Sequence, residues 1–316
     1  MIPELALPEM TFRPELNHHQ RTNRSTRMHK SKNARPSGLL LLLLLPPLAA
    51  QAQSANSPDY SLFNPAPDDQ LRPFCTDRPT KGTGPCTVDA GHLQIESDIF
   101  NATLQNSGGM VTDTYLYTNP NFRFGLTDTV DLELNFAPDV EVVTHDHATG
   151  TRTEDSGFGD MYLRVKSSLI GNGQGSFSAA LDPFLKIPTA PVPIGNGALE
   201  GGIVVPLQYA PADVWSLAFV PELDVLKDQI GSDRHAAAVA AFSITRAISS
   251  HVSASAEIWE DASFDPSGTV QQYSFDLAAT WQPPATRDLQ FDVGANFGLN
   301  RETPGAQFYL GVSHRF

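Results

Sequence analysis

Late in the chain the sequence alternates without a break. Leu289, Phe291, Val293, Ala295, Phe297 and Leu299 are apolar, and Gln290, Asp292, Gly294, Asn296 and Gly298 between them are polar or small. Side chains of an extended strand point to opposite faces with a period of two, so this run builds one apolar wall and one polar wall. The closing stretch GAQFYLGVSHRF does the same, with Ala306, Phe308, Leu310, Val312, His314 and Phe316 on one side. Its last residue belongs fully to the apolar face, whereas the terminal strand of a soluble protein usually frays into a polar tail.

The pattern recurs from Asp89 onward, and no stretch there has the period of a long amphipathic helix. About twelve strands are predicted, near 90–100, 113–124, 129–140, 158–170, 176–188, 199–210, 214–226, 235–247, 250–261, 270–282, 288–299 and 305–316. Most run to about 11–13 residues, against about 5–6 for an ordinary soluble strand and about 9–11 for a tilted strand crossing a bilayer. Short links (126–128, 171–175, 211–213, 249, 283–287) alternate with generally longer ones (101–112, 141–157, 189–198, 227–234, 262–269), and 300–304 is the shortest of the second class. Outer-membrane barrels place short turns on the periplasmic side and longer loops outside, with an even number of strands. The expected fold is therefore all-β: a closed antiparallel transmembrane β-barrel of about twelve strands, of the outer-membrane type, over 89–316. Both termini are expected in the periplasm. A secreted soluble sandwich is the competing architecture.

Closure explains the ending. The last strand of a barrel pairs with the first, so it has no tail to fray. Phe316 is expected at the aromatic girdle. The apolar face is expected to meet outer-membrane lipid, and the C-terminal strand to meet the barrel-assembly machinery.

The first residues read as an address. A basic stretch (Lys30, Lys32, Arg35) precedes an apolar run from Leu39 to Ala50, and Ala50-Gln51-Ala52 is the small-residue pattern at which a signal peptidase cuts. That run is too short for a helical span, which needs about 20 residues. Residues 1–52 are expected to be a signal peptide, with Met28 the favoured true start. Their removal takes away seven of the 21 basic residues and three of the 35 acidic ones, leaving the remainder more acidic than the whole. Such a chain is a poor partner for nucleic acid. Only two cysteines occur, Cys75 and Cys86, with no histidine near them; in an oxidising compartment they are expected to form a local disulfide. The segment 53–88, rich in Pro, Ser and Asp, is expected to be a periplasmic leader or a disulfide-pinned plug in the lumen.

Several fragments, in order, resemble a known family: FCTDRP, GHLQIESDIF, FRFGLTDTVDLELNF, GFGDMYLRVK, KIPTA and GVSHRF. Together they resemble the outer-membrane transporter family linked to the meta-pathway of phenol degradation, from about Cys75 to Phe316. The resemblance implies an outer-membrane barrel acting as a channel for small, possibly aromatic, compounds. It carries over no catalytic residues.

The polar face of the predicted strands holds more charge than a soluble core tolerates: Arg123, Asp131, Glu133, Arg164, Lys166, Asp182, Lys186, Glu222, Asp224, Glu257, Asp276, Asp292 and Arg315. These are the lumen-lining candidates. Around the short turns Arg123 is expected nearly opposite Asp131, and Arg164 nearly opposite Asp182. They form either a charged ladder that orients small-molecule permeants or a solvated, self-neutralising wall, and both readings require a wet interior. His145-Asp146-His147 offers two imidazoles without a third fixed ligand, so no metal is expected. His251 and Ser253 raise the question of an outer-membrane lipid hydrolase, but they fall on the polar face with Ser255 and Glu257, away from lipid. The expectation is a passive channel with no cofactor, no catalytic residues and no enzymatic activity. A structural or adhesive barrel with acidic loops is the alternative, and a hydrolase comes after it.

Overall fold

The computed structural model describes residues 60–316; the predicted signal peptide, with its cut after Ala52, lies outside the described residues. The strand segments are β1 (Leu93–Ser107), β2 (Met110–Thr118), β3 (Asn121–Thr127), β4 (Val130–Asn135), β5 (Asp139–Asp146), β6 (Thr151–Gly157), β7 (Met161–Ile170) and β8 (Phe177–Ile187). There follow β9 (Glu200–Val204), β10 (Leu207–Ala212), β11 (Trp215–Lys227), β12 (Arg234–Ala247), β13 (Val252–Ser263), β14 (Val270–Trp281), β15 (Leu289–Gly298) and β16 (Ala306–Arg315). All pair antiparallel in one sheet, and β16 pairs with both β15 and β1, so the sheet closes on itself.

Four pairs of segments continue one another along a single pass: β2 with β3, β4 with β5, β6 with β7, and β9 with β10. The barrel therefore has twelve passes. Three of the four interruptions fall at Pro120, Pro138 and Pro206. Proline has no N–H to give to the ladder, so the pass breaks there and resumes.

The faces are those of a membrane barrel. Leu223 is 62% exposed and Val293 52%, while Arg123, Asp131 and Lys166 are fully buried. A soluble sandwich would show the reverse, because Lys, Arg and Asp are almost never buried unless paired, and large apolar side chains usually are. Register shifts adjust the alternation in several places, among them between Asp98 and Phe100, which leaves Ile99 and Phe100 both outward, and between Ser168 and Ile170.

Two expected loops are strand instead. The stretch 101–112 continues β1 and β2 up to a turn at Gly108 and Gly109, both at positive φ. Likewise 141–157 is the β5–β6 hairpin. Their residues are too polar to read as membrane-crossing strand, yet ladder pairing needs no membrane. The link 188–199 is not free either. Its Ala190 and Ile194 bury against Leu116, Ala137, Val140 and Val142.

Residues 60–92 precede β1; from about Phe74 to Ala90 they run inside the barrel, while Leu62 and Phe63 stay exposed at its end. At the end that carries Tyr60 and Phe316, Leu62 N–H donates to the Leu126 carbonyl at 2.9 Å, and the His92 ring bonds the carbonyls of Phe316 (2.9 Å) and Ala66 (2.8 Å).

Candidate functional site

The interior is built around Arg123 of β3. Its guanidinium reaches Glu96 at 2.7 Å, Asp131 at 3.0 Å and Glu133 at 3.2 Å. Lys166 adds contacts to Glu133 at 3.1 Å and to Asp77 at 2.5 Å. The expected pairs both form, but diagonally: the residue directly opposite Arg123 is Glu133, and the one opposite Arg164 is Phe184. Arg164 reaches Asp182 at 3.4 Å and lies over the Phe184 ring at 4.7 Å. Lys186 bonds Glu200 at 2.8 Å and Asp160 at 3.1 Å.

All thirteen lumen-lining candidates face inward, none more than 8% exposed. Part of this charged wall is covered by the chain's own segment ahead of β1, which brings its own partners.

That segment is fitted to the wall by charge and shape. Arg78 places one guanidinium nitrogen 2.7 Å from both Asp98 and Asp292, and its Nε donates to Asp292 at 3.0 Å. Asp98, Gly311 and Asp292 face one another across β1, β16 and β15. A Cβ on Gly311 would lie 2.0 Å from the Arg78 guanidinium, so only glycine leaves room for the arginine to lie against the wall. The Glu96 carboxylate accepts the backbone N–H of Asp77 (2.9 Å) and of Arg78 (3.2 Å), and Glu257 accepts those of Lys81 (2.8 Å) and Gly82 (3.1 Å). Lys81 also sits over the Trp259 ring at 3.8 Å. Arg315 joins Asp89, at 2.7 Å, to Asp288. Glu222, Asp224 and Asp276 are buried on β11 and β14.

Cys75 and Cys86 form the expected disulfide, closing a loop across a sequence separation of 11 around Asp77, Arg78 and Lys81. So short a loop contributes at most about 3 kcal/mol. The double variant Cys75→Ser/Cys86→Ser is therefore expected to fold to the same barrel, read by its heat-modifiable mobility in gels. Loss of the folded band would show that the disulfide is required for the barrel itself.

Two features escaped the sequence. Below the segment, toward the terminal end, lies a cavity of about 410 Å³ lined by hydroxyls and amides, among them Ser216, Ser243, Thr245, Ser255, Thr280 and Gln290. On the β8–β13 arc, Phe184, Val204, Val220, Val239, Ala241 and Trp259 form a buried apolar cluster, with Tyr162 against it. These residues share a face with the charges: Trp259 lies two positions from Glu257, and Phe184 two from Asp182. The available signal was that in-phase apolar residue amid a charged face.

The histidine pairs stay apart from this interior chemistry. His145 and His147 have ring centroids 4.6 Å apart at the end of β5, where Asp146 holds the turn by accepting Ala148 N–H and the Thr149 hydroxyl, each at 2.8 Å. His251 and Ser253 line the cavity, and among the described residues no hydrogen bond joins them. Ser255 is bonded to Thr245 at 2.8 Å.

The family model described as "Putative MetA-pathway of phenol degradation" matches residues 76–316. The chain belongs to this family. No curated protein sequence matches the chain. Among solved structures, an outer membrane channel from Pseudomonas putida F1 is similar at TM-score 0.56 and 13% identity, over 79% of this chain and 99% of that one. The NanC porin (TM-score 0.46, 8% identity, 70% and 98%) and the CymD monoaromatic hydrocarbon channel (0.40, 10%, 71% and 87%) are more distant. The protein is an outer-membrane β-barrel.

Proposed function

We propose that the protein is a passive outer-membrane channel for small solutes, aromatic compounds among them, with no catalytic role. The end carrying both termini faces the periplasm, and segment 60–92 is the constriction. The observation that carries this reading is the cavity of about 410 Å³ that lies open between that segment and the wall. Its size falls within the roughly 300–1,000 Å³ of sites that hold small molecules. A barrel serving only as a structural anchor needs no such space. Membership of a family described by phenol degradation favours aromatic compounds among the solutes. Buried Asp182, Glu222, Asp224, Glu257 and Asp276 outnumber the cations on that arc, which favours cations over anions. The C-terminal strand, with β1, is the proposed contact for the assembly machinery, and outer-membrane lipid the partner of the outward apolar face.

Planar-bilayer recording tests this. The full mature chain is expected to give a small, steady, cation-selective conductance, and a variant lacking residues 60–88 a conductance several-fold larger. A reversal potential of the anion-selective sign would defeat the charge argument. A barrel that stays sealed in both forms would defeat the channel.

A further inference from the structure

At the end opposite the termini, three donor groups from two neighbouring connections converge. Asp228 directly follows β11, His235 is the second residue of β12, and Asp265 lies just past β13. Their ligand atoms all lie within 4.8 Å of one another. His235 Nδ1 is 2.9 Å from Asp228 Oδ1 and 3.4 Å from Asp265 Oδ2. Asp228 and Asp265 are buried, and the His235 side chain is only 7% exposed.

We propose that Asp228, His235 and Asp265 bind a divalent transition-metal ion of the zinc type. Tetrahedral zinc takes ligand atoms at about 2.0–2.2 Å, which places them roughly 3.3 Å apart. His235 Nδ1 stands 2.9 Å and 3.4 Å from the two carboxylates, either side of that value, and with all three ligand atoms within 4.8 Å of one another binding needs the two carboxylates to draw in around the ion. One imidazole and two carboxylates leave a fourth position for water, as in sites that are not fully closed. A calcium ion would want six to eight oxygens and no imidazole.

The surroundings already hold the donors in place. The other ring nitrogen, His235 Nε2, bonds Ser263 Oγ at 2.9 Å, which fixes the ring with Nδ1 toward the carboxylates. Metal-bound histidines are commonly oriented through their second nitrogen in this way. The backbone is equally tied: Asp228 N–H donates to the Asp233 carbonyl at 2.9 Å, and Phe264 N–H to the Ala236 carbonyl at 3.1 Å. Gln229 N–H donates to Asp265 Oδ2 at 2.8 Å, joining the two connections directly. An ion here would clamp the 228–233 and 264–269 connections together at the mouth of the barrel. The alternative is that the His235 Nδ1–H alone bridges the two carboxylates.

The test is a zinc titration of the folded, full mature protein in detergent, followed by a competing chromophoric chelator. One equivalent is expected to bind, with affinity falling at least tenfold in His235→Ala and in Asp265→Asn, and unchanged in His145→Ala/His147→Ala. Calcium is expected to show no saturable binding at this site. Heat-modifiable gel mobility checks that each variant is folded. The proposal is overturned if wild type binds no zinc, if His235→Ala binds as wild type does, or if the site is lost in the His145/His147 variant instead.

Discussion

Placing Arg at Val293 is expected to destabilise the folded barrel in lipid vesicles by about 2–4 kcal/mol, the range for a cation near the bilayer midplane. Val293 lies mid-way along β15, 52% exposed, beside Ala279 of β14 and Leu310 of β16, which are outward with it. An arginine there has no counter-charge and no water within reach. The adjacent Gly294 looks like the natural control, since it faces the interior. It is a poor one, because a Cβ there would lie 2.2 Å from the Tyr309 ring, so any side chain clashes. Ser255 serves instead: it faces inward, lines the cavity, and its hydroxyl bonds only Thr245 among the described residues. Loss of that hydrogen bond costs about 1 kcal/mol. Folding titrations should therefore rank Val293→Arg well below Ser255→Arg. Equal penalties would mean that the apolar face is a protein core and that the membrane reading fails.

Removing Arg78 is expected to free segment 60–92 from the wall and to raise single-channel conductance toward that of the deletion variant. Arg78 is the shared counter-ion of Asp98 and Asp292, each at 2.7 Å. Taking away one partner of a buried ion pair costs about 3–5 kcal/mol, because the remaining charge is left unpaired. Arg78→Ala leaves two carboxylates facing each other across Gly311. Arg78→Lys keeps the charge but loses the forked geometry, so an intermediate conductance is expected. Asp98→Asn/Asp292→Asn combined with Arg78→Ala removes the repulsion and should restore part of the closed state. If Arg78→Ala conducts as wild type does, the segment is held by its other contacts and the slot is not its latch.

Much of the barrel was legible because a membrane wall enforces alternation residue by residue. Phe291, Val293, Leu310 and their polar neighbours could be assigned to faces from parity alone. The thirteen interior charges followed by the same parity. Their partners did not. Arg78 meets Asp292 across a separation of 214 residues, and Glu96 pairs with backbone N–H groups of Asp77 and Arg78. Neither contact leaves a periodic trace, because segment 60–92 has no regular structure beyond a single turn of 3₁₀ helix at Asp68–Gln70. The strand extensions at 101–107 and 151–157 were missed for a related reason. Outside the bilayer no lipid demands an apolar face, so exposed residues such as Arg152 and Glu154 pair in the ladder without showing it in the sequence. The Asp228–His235–Asp265 group joins two connections through side-chain geometry alone.

The seam between β1 and β16 is spanned from within. Arg78 rests on β1 through Asp98 and on β15 through Asp292, and Arg315 of β16 holds Asp89. This arrangement couples two events. The pair of first and last strands is the one joined across nearly the whole barrel sequence. The contacts that lie across the seam, Arg78 between Asp98 and Asp292 and Arg315 on Asp89, are completed only when those strands meet. Closing the ring and completing these seam contacts are thus coupled through the same long sequence separations. Contacts so distant in sequence are the slowest kind to form. Once the strands have joined, the enclosed residues have no way out sideways. Their one remaining exit is along the axis, toward the end from which the chain entered.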